Sequence, residues 1–137
     1  MYSLSRSSKE HLEGVDPRLI AIVDRALQIT RIDFGIPQDG GIRTAYRQKE
    51  LCLEGLSMCD GTIKKSEHQS GRAFYVYAYV DGRASWEKEH LAMVAAAILQ
   101  AAAELNTPLS WGGLWSNFVD MPHFQLLRKL ASRISRR

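Results

Sequence analysis

The sequence predicts an α+β fold, a small antiparallel sheet with helices packed against it. Two observations carry that prediction. Segments whose apolar residues recur at helical spacing alternate with short runs rich in aromatic and β-branched residues. The longest helical segment, 86–105, also carries a broad apolar face with alanines that permit close packing. At 137 residues, with 45% hydrophobic and 24% charged side chains, the chain fits one domain spanning 1–137 with a real core.

Taken in order, Asp16-Pro17 is a helix start, an N-cap followed by proline at the first helical position. Leu19, Ile22, Val23, Ala26 and Leu27 then mark a helix over about 17–31. A short apolar stretch through Phe34-Gly35-Ile36-Pro37 reaches Gly40-Gly41-Ile42-Arg43, and Thr44 caps a second helix that ends before Gly55. Arg43 thus falls where a strand hands over to a helix. Residues 57–70 read as a long polar loop of the kind that carries function in a compact domain. The run 73–80 reads as one strand closed by the turn Asp81-Gly82. Its alternation puts Phe74, Val76, Ala78 and Val80 in the core and Tyr75, Tyr77 and Tyr79 along a cleft wall. Ser85 is the expected cap of the 86–105 helix, which Thr107-Pro108 terminates. Leu109-Ser110-Trp111 reads as a strand, 112–115 as a loop, 118–127 as an extended segment, and a short basic amphipathic helix is expected to finish the chain.

Charge and cysteines narrow the function classes. The formal charge of +3 is mildly basic, and Arg128, Lys129, Arg133, Arg136 and Arg137 concentrate it in a tail from about 128. No nucleic-acid partner is expected from so local an excess. No run approaches the roughly 20 apolar residues of a membrane span, and the start of the chain shows no export signal, so a soluble cytoplasmic product is expected. Cys52 and Cys59 are too few for a disulfide framework and are expected to be reduced thiols.

Two histidines stand out. His68 lies in a Ser-x-His-x-x-Gly-x-Ala frame running from Ser66 to Ala73, and His123 ends the Asp-x-Pro-His frame of Asp120 to His123. Zinc takes nitrogen, sulfur and carboxylate ligands, and a catalytic site keeps about three protein ligands and an open position. Either histidine alone is more simply an ordinary polar residue. The paired frames are specific, and they resemble the zinc peptidases of bacterial cell walls: D-alanyl-D-alanine carboxypeptidases and the L-alanyl-D-glutamate endopeptidases of phage endolysins. Gly41 to Thr44 with Gln48, the 82–86 turn, and Trp111-Gly112-Gly113 with Trp115 fit the endolysin branch as well.

The resemblance implies a Hedgehog/DD-peptidase-like fold, a zinc cofactor and roles for particular residues. His68 and His123 match the histidine ligands. Asp120 matches the general base, and Arg43 matches the cation that stabilises the oxyanion. Ser66 and Gln48 match substrate-binding groups more weakly. His11 and His90 match nothing and are expected at the surface. One ligand departs from the pattern, because the family's third ligand is an aspartate and that position is Tyr75 here. A phenol must be deprotonated to serve, so weakened metal binding is expected unless the tyrosine oxygen itself or a nearby carboxylate such as Glu67 or Asp81 compensates. The implied protein is a monomeric endolysin that cuts the L-alanyl-D-glutamate bond of peptidoglycan, made in the host cytoplasm and admitted to the wall once the membrane is permeabilised. Two alternatives stand beside it, a D-alanyl-D-alanine carboxypeptidase and a catalytically silent module that binds cell-wall peptide.

Overall fold

The computed structural model describes residues 1–128 apart from 58, 63 and 64. Helices α1 (Arg6–His11) and α2 (Pro17–Ile29) lead into strand β1 (Asp33–Gly35) and helix α3 (Ala45–Leu53). A 3-10 turn, Glu67–Ser70, precedes β2 (Ala73–Tyr75), β3 (Tyr77–Val80) and β4 (Arg83–Ser85). The long helix α4 (Lys88–Glu104) is followed by β5 (Leu109–Trp111), a second 3-10 turn and β6 (His123–Leu126). The expected α+β class is what the chain adopts. The basic helix expected at the C-terminus lies outside the described residues.

The strands form two antiparallel three-stranded sheets, β1-β3-β4 and β2-β6-β5, where one sheet was expected. The reason lies at Val76. The run 73–80 does alternate as expected, with Phe74, Val76 and Ala78 fully buried. At its midpoint, however, the Tyr75 amide donates to Gly40 O (2.7 Å) and the Val76 amide to Pro122 O (3.0 Å), and the chain passes from one sheet to the other. Only Tyr75 therefore reaches the cleft. Tyr77 instead packs near Trp86 (6.0 Å between centroids), and the exposed Tyr79 donates to Gly82 O.

The helices follow local chemistry. The Asp16 side chain accepts from the Arg18 amide at the start of α2, whose buried face is Leu19, Ile22, Val23, Ala26 and Leu27, the same five residues that mark it in the sequence. Helix α4, with Leu91, Val94, Ala95 and Ile98 buried, packs on α2 and also contacts β3 and β5. Its cap differs from expectation: Ser85 ends β4 and bonds His90 Nδ1 (2.7 Å), so the N-cap is Glu87, which makes no side-chain cap. Helix α1 escapes periodicity because a single turn and a half buries only Ser8. Phe74 and Phe124 stack face to face at 5.3 Å under Trp111, fixing β2 against β6. Cys52 and Cys59 are not joined in a disulfide. No helix among the described residues is long and apolar enough to cross a membrane.

Candidate active site

His68 is delivered by the 3-10 turn. Ser66 caps it, its hydroxyl accepting from the His68 amide (3.1 Å) while the Ser66 amide donates to Gln69 Oε1 (2.9 Å). Gly71 closes the turn at φ 73, a left-handed conformation that costs glycine little. The loop read from the sequence is thus a capped turn at its functional end. His123 opens β6 directly opposite Tyr75 of β2, so strand register sets their contact. Asp120 is fixed by its amide, which donates to Gly112 O (2.9 Å), and its own carbonyl accepts from the His123 amide (3.1 Å).

These segments bring His68, His123, Asp120, Arg43 and Tyr75 into one cleft of about 310 Å³. Both histidines are nearly inaccessible, at 1% and 6% exposure. His68 Nδ1 lies 2.8 Å from Gly41 O and His123 Nε2 lies 2.8 Å from Gln125 Oε1. The Gly41 carbonyl only accepts, so His68 Nδ1 carries the proton, and with the Gln125 amide oxygen turned toward it His123 Nε2 carries the proton as well. The opposite nitrogens, His68 Nε2 and His123 Nδ1, are therefore bare, and they face each other at 3.3 Å. Burial drives both imidazoles below their ordinary pKa, with the Arg43 charge adding to the effect, which keeps them neutral.

Two lone pairs aimed at each other across a buried gap repel unless a cation lies between them. For bonds of about 2.0 to 2.1 Å, tetrahedral zinc sets its ligands roughly 3.3 to 3.4 Å apart. Outer carbonyl partners that fix the tautomer are the usual support of metal-bound histidine. At these two positions the donor set fits zinc. The third position is a weaker donor: Tyr75 OH hydrogen-bonds both carboxylate oxygens of Asp120, and burial and that carboxylate push the phenol well above its ordinary pKa. Among the described residues no three His, Cys, Asp or Glu side chains form a metal-holding cluster. Neither expected substitute fills the gap, since Glu67 is held by Arg72 and Arg128 and Asp81 sits exposed in the turn after β3.

Arg43 is pinned. Its backbone amide donates to His68 O (3.0 Å), its Nε to Asp39 O (2.9 Å) and its Nη1 to Gln48 Oε1 (3.0 Å), and its guanidinium carbon stands 5.7 Å from the Tyr75 ring centre. Nη2 makes no hydrogen bond among the described residues. Ser66 lines the cleft, but its hydroxyl already caps the turn. Gln48 does not line it. Its side chain is fully buried and hydrogen-bonded within the protein, so it is not the substrate contact that the motif match implied. His11 and His90 lie outside the cleft and are only part-exposed, bonded to Ile36 O and Ser85 Oγ.

Sequence reasoning missed several cleft residues. Trp115, already among the residues that fit the endolysin branch, lies tilted against His123 with ring centres 5.0 Å apart and lines the cleft, whereas Trp111 is half-buried and packs against the core. Leu56 and Phe118 add apolar wall, and Lys65 adds a second cation. Gln125 was detectable in principle, because a residue two positions along a strand shares the face of His123. The Gly41 carbonyl carries no side-chain signal at all.

Comparison with known proteins places the chain in a family. The family model described as phage L-alanyl-D-glutamate peptidase matches residues 1–127. The L-alanyl-D-glutamate peptidase of Escherichia phage T5 is 31% identical over 116 residues, covering 84% of this chain and 82% of that protein. The crystal structure of the Serratia marcescens L-Ala D-Glu endopeptidase ChiX superposes with a TM-score of 0.80 at 34% identity, covering 91% of this chain and 90% of that one. The LD-carboxypeptidase LdcB, at 19% identity, TM-score 0.53 and coverage of 93% and 73%, shares the fold alone. The chain belongs to the phage L-alanyl-D-glutamate peptidase family.

Proposed function

We propose that the chain is an endolysin-type peptidoglycan hydrolase, one monomeric domain over 1–137, that cleaves the L-alanyl-D-glutamate bond of stem peptides with zinc held by His68 and His123. Tyr75 at the third ligand position limits both metal affinity and rate. The observation that carries this reading is the pair of bare imidazole nitrogens 3.3 Å apart in a cleft that also contains Arg43 and Asp120. The reach of the relatives' activity to this chain is supported by coverage of more than four-fifths of each of them. Synthesis in the host cytoplasm, with access to the wall after membrane permeabilisation, accords with that activity.

When bound, zinc supplies Lewis acidity toward the scissile carbonyl and acidifies a water. The chain's residues do the rest. Arg43, held at Nε and Nη1, offers Nη2 to the alanyl carbonyl oxygen as negative charge develops there. Asp120 takes the proton of the attacking water and returns it to the departing glutamate nitrogen. Trp115, Leu56 and Phe118 restrict bulk water and give the peptide an apolar wall. Tyr75 opposes this sequence, because while its hydroxyl occupies both Asp120 oxygens the carboxylate is a poorer proton acceptor.

That same contact favours a second reading, a silent module that holds cell-wall peptide in the cleft. Calorimetry with zinc separates the two. Tyr75→Asp restores an anionic donor and is expected to tighten zinc binding about tenfold or more over the parent chain. Equal binding in both, with no lysis of permeabilised cells by either, favours the silent module.

A further inference from the structure

We infer that Gln48 is a positioning residue that joins the reactive cation to the cleft wall, setting Arg43, Ser57 and Cys59 from one buried amide. The inference rests on the assignment of Arg43 to the reaction. Gln48 projects from the buried face of α3 at 0% exposure. Its Oε1 accepts from Arg43 Nη1 at 3.0 Å, and its Nε2 donates to Ser57 Oγ at 2.6 Å and to Cys59 O at 2.9 Å. Both amide hydrogens and the oxygen are therefore spent inside the protein. The partners are what give this meaning, since Arg43, Ser57 and Cys59 all line the cleft and Gln48 does not.

Ser57 and Cys59 belong to no helix or strand, so side-chain hydrogen bonds hold them in place. Ser57 Oγ also accepts from the Cys59 amide (3.2 Å), and Gln69 Nε2 donates to Gly61 O (2.9 Å), tying Gly61 to the turn that presents His68. Arg43 is the counterpart. A guanidinium stabilises developing charge well only if its orientation is set beforehand, and Nε and Nη1 are the two points that set it. Removing Gln48 frees one of those points together with Ser57 and Cys59. A primary amide suits this position because its oxygen faces the cation while its nitrogen faces two oxygens, a division that neither a carboxylate nor an aliphatic side chain reproduces.

The test uses the full chain with nitrogen-15 NMR and peptide turnover. A pinned Arg Nε–H exchanges slowly and is directly visible. Gln48→Leu is expected to speed exchange of both Arg43 Nε–H and the Cys59 amide by about tenfold or more. Gln48→Glu keeps an oxygen for Arg43 and loses the amide hydrogens, so it should speed exchange at Cys59 alone. On stem peptides containing the L-alanyl-D-glutamate bond, Gln48→Leu should lower kcat by about tenfold with KM held within about threefold. In an Arg43→Lys background the same change should cost less than about threefold, the mark of action through Arg43. Unchanged Arg43 exchange in Gln48→Leu, or an equal loss of kcat in both backgrounds, overturns the inference. If Gln48→Leu does not fold, Gln48→Glu decides, and loss of Arg43 protection in that variant overturns it as well. A parent chain that turns over no peptide refutes the peptidase reading, and the exchange measurements still decide the role of Gln48.

Discussion

Single atoms govern this site, and two of its controlling residues have no side chain. A Cβ on Gly112 would lie 2.1 Å from Asp120 O, and one on Gly41 would lie 1.9 Å from His11 O. Both neighbours are backbone and cannot swing aside. Gly41 supplies the carbonyl that orients His68, and Gly112 supplies the one that holds the Asp120 amide. Gly112→Ala is therefore expected to displace Asp120, cutting lytic activity by about tenfold or more while costing about 1 to 3 kcal/mol of stability. Thermal unfolding and turbidity assays on permeabilised cells read both, and full activity in Gly112→Ala would remove Asp120's backbone anchor from the account. The histidine pair, Arg43 and Asp120 were legible in the sequence because their motif frames are made of side chains. The carbonyls and the Gln48 amide were not, because a backbone oxygen has no residue type and a buried glutamine looks like any polar helix residue until its partners are known.

At the level of elements, the site is carried by one turn and one strand pair. The 3-10 turn depends on its cap, since Ser66 Oγ satisfies the His68 amide. Ser66→Ala should cost about 1 kcal/mol in denaturant unfolding and loosen His68. Zinc affinity should fall with it, and unchanged affinity in that variant would mean that packing rather than the cap orients the imidazole. The β2–β6 pairing places Tyr75 opposite His123, so whatever occupies position 75 is pressed against that imidazole by register. Alternation in 73–80 correctly marked Phe74, Val76 and Ala78 as core, although Val80 is only partly buried, yet it could not reveal the change of sheet at Val76. That change is made by two long-range amide bonds, to Gly40 and Pro122, and no local pattern encodes them. Helix α4 was legible for the opposite reason: its apolar face repeats over 17 residues and needs no partner to be recognised.

Across the whole molecule, helices α2 and α4 bury a common apolar layer, and α4 in turn contacts strands of both sheets, β3 and β5. This scaffold carries two neutral buried histidines, and their cost appears in the pH dependence of folding. Both folded-state pKa values lie below the ordinary 6.5, so just below pH 6.5 the unfolded chain binds more protons than the native one. Stability of the metal-free protein is thus expected to be level above about pH 6.5 and to fall as pH drops below it. Denaturant titrations from pH 8 to about 5 check this, with His68→Gln reducing the slope; stability that rises toward acid pH would contradict neutral, buried imidazoles. The α+β class was legible because composition and periodicity act over long stretches, whereas the division into two sheets required the tertiary contacts.

The central claim is that this scaffold cuts the L-alanyl-D-glutamate bond and that Tyr75 restrains it. Mass spectrometry of purified peptidoglycan, digested with added zinc by the parent chain and by Tyr75→Asp side by side, tests both halves at once. The expected products end in L-alanine and begin with D-glutamate, form about tenfold or more faster with Tyr75→Asp and are suppressed by a chelator. Cleavage at the D-alanyl-D-alanine bond, equal rates from the two proteins, or no cleavage by either would contradict it.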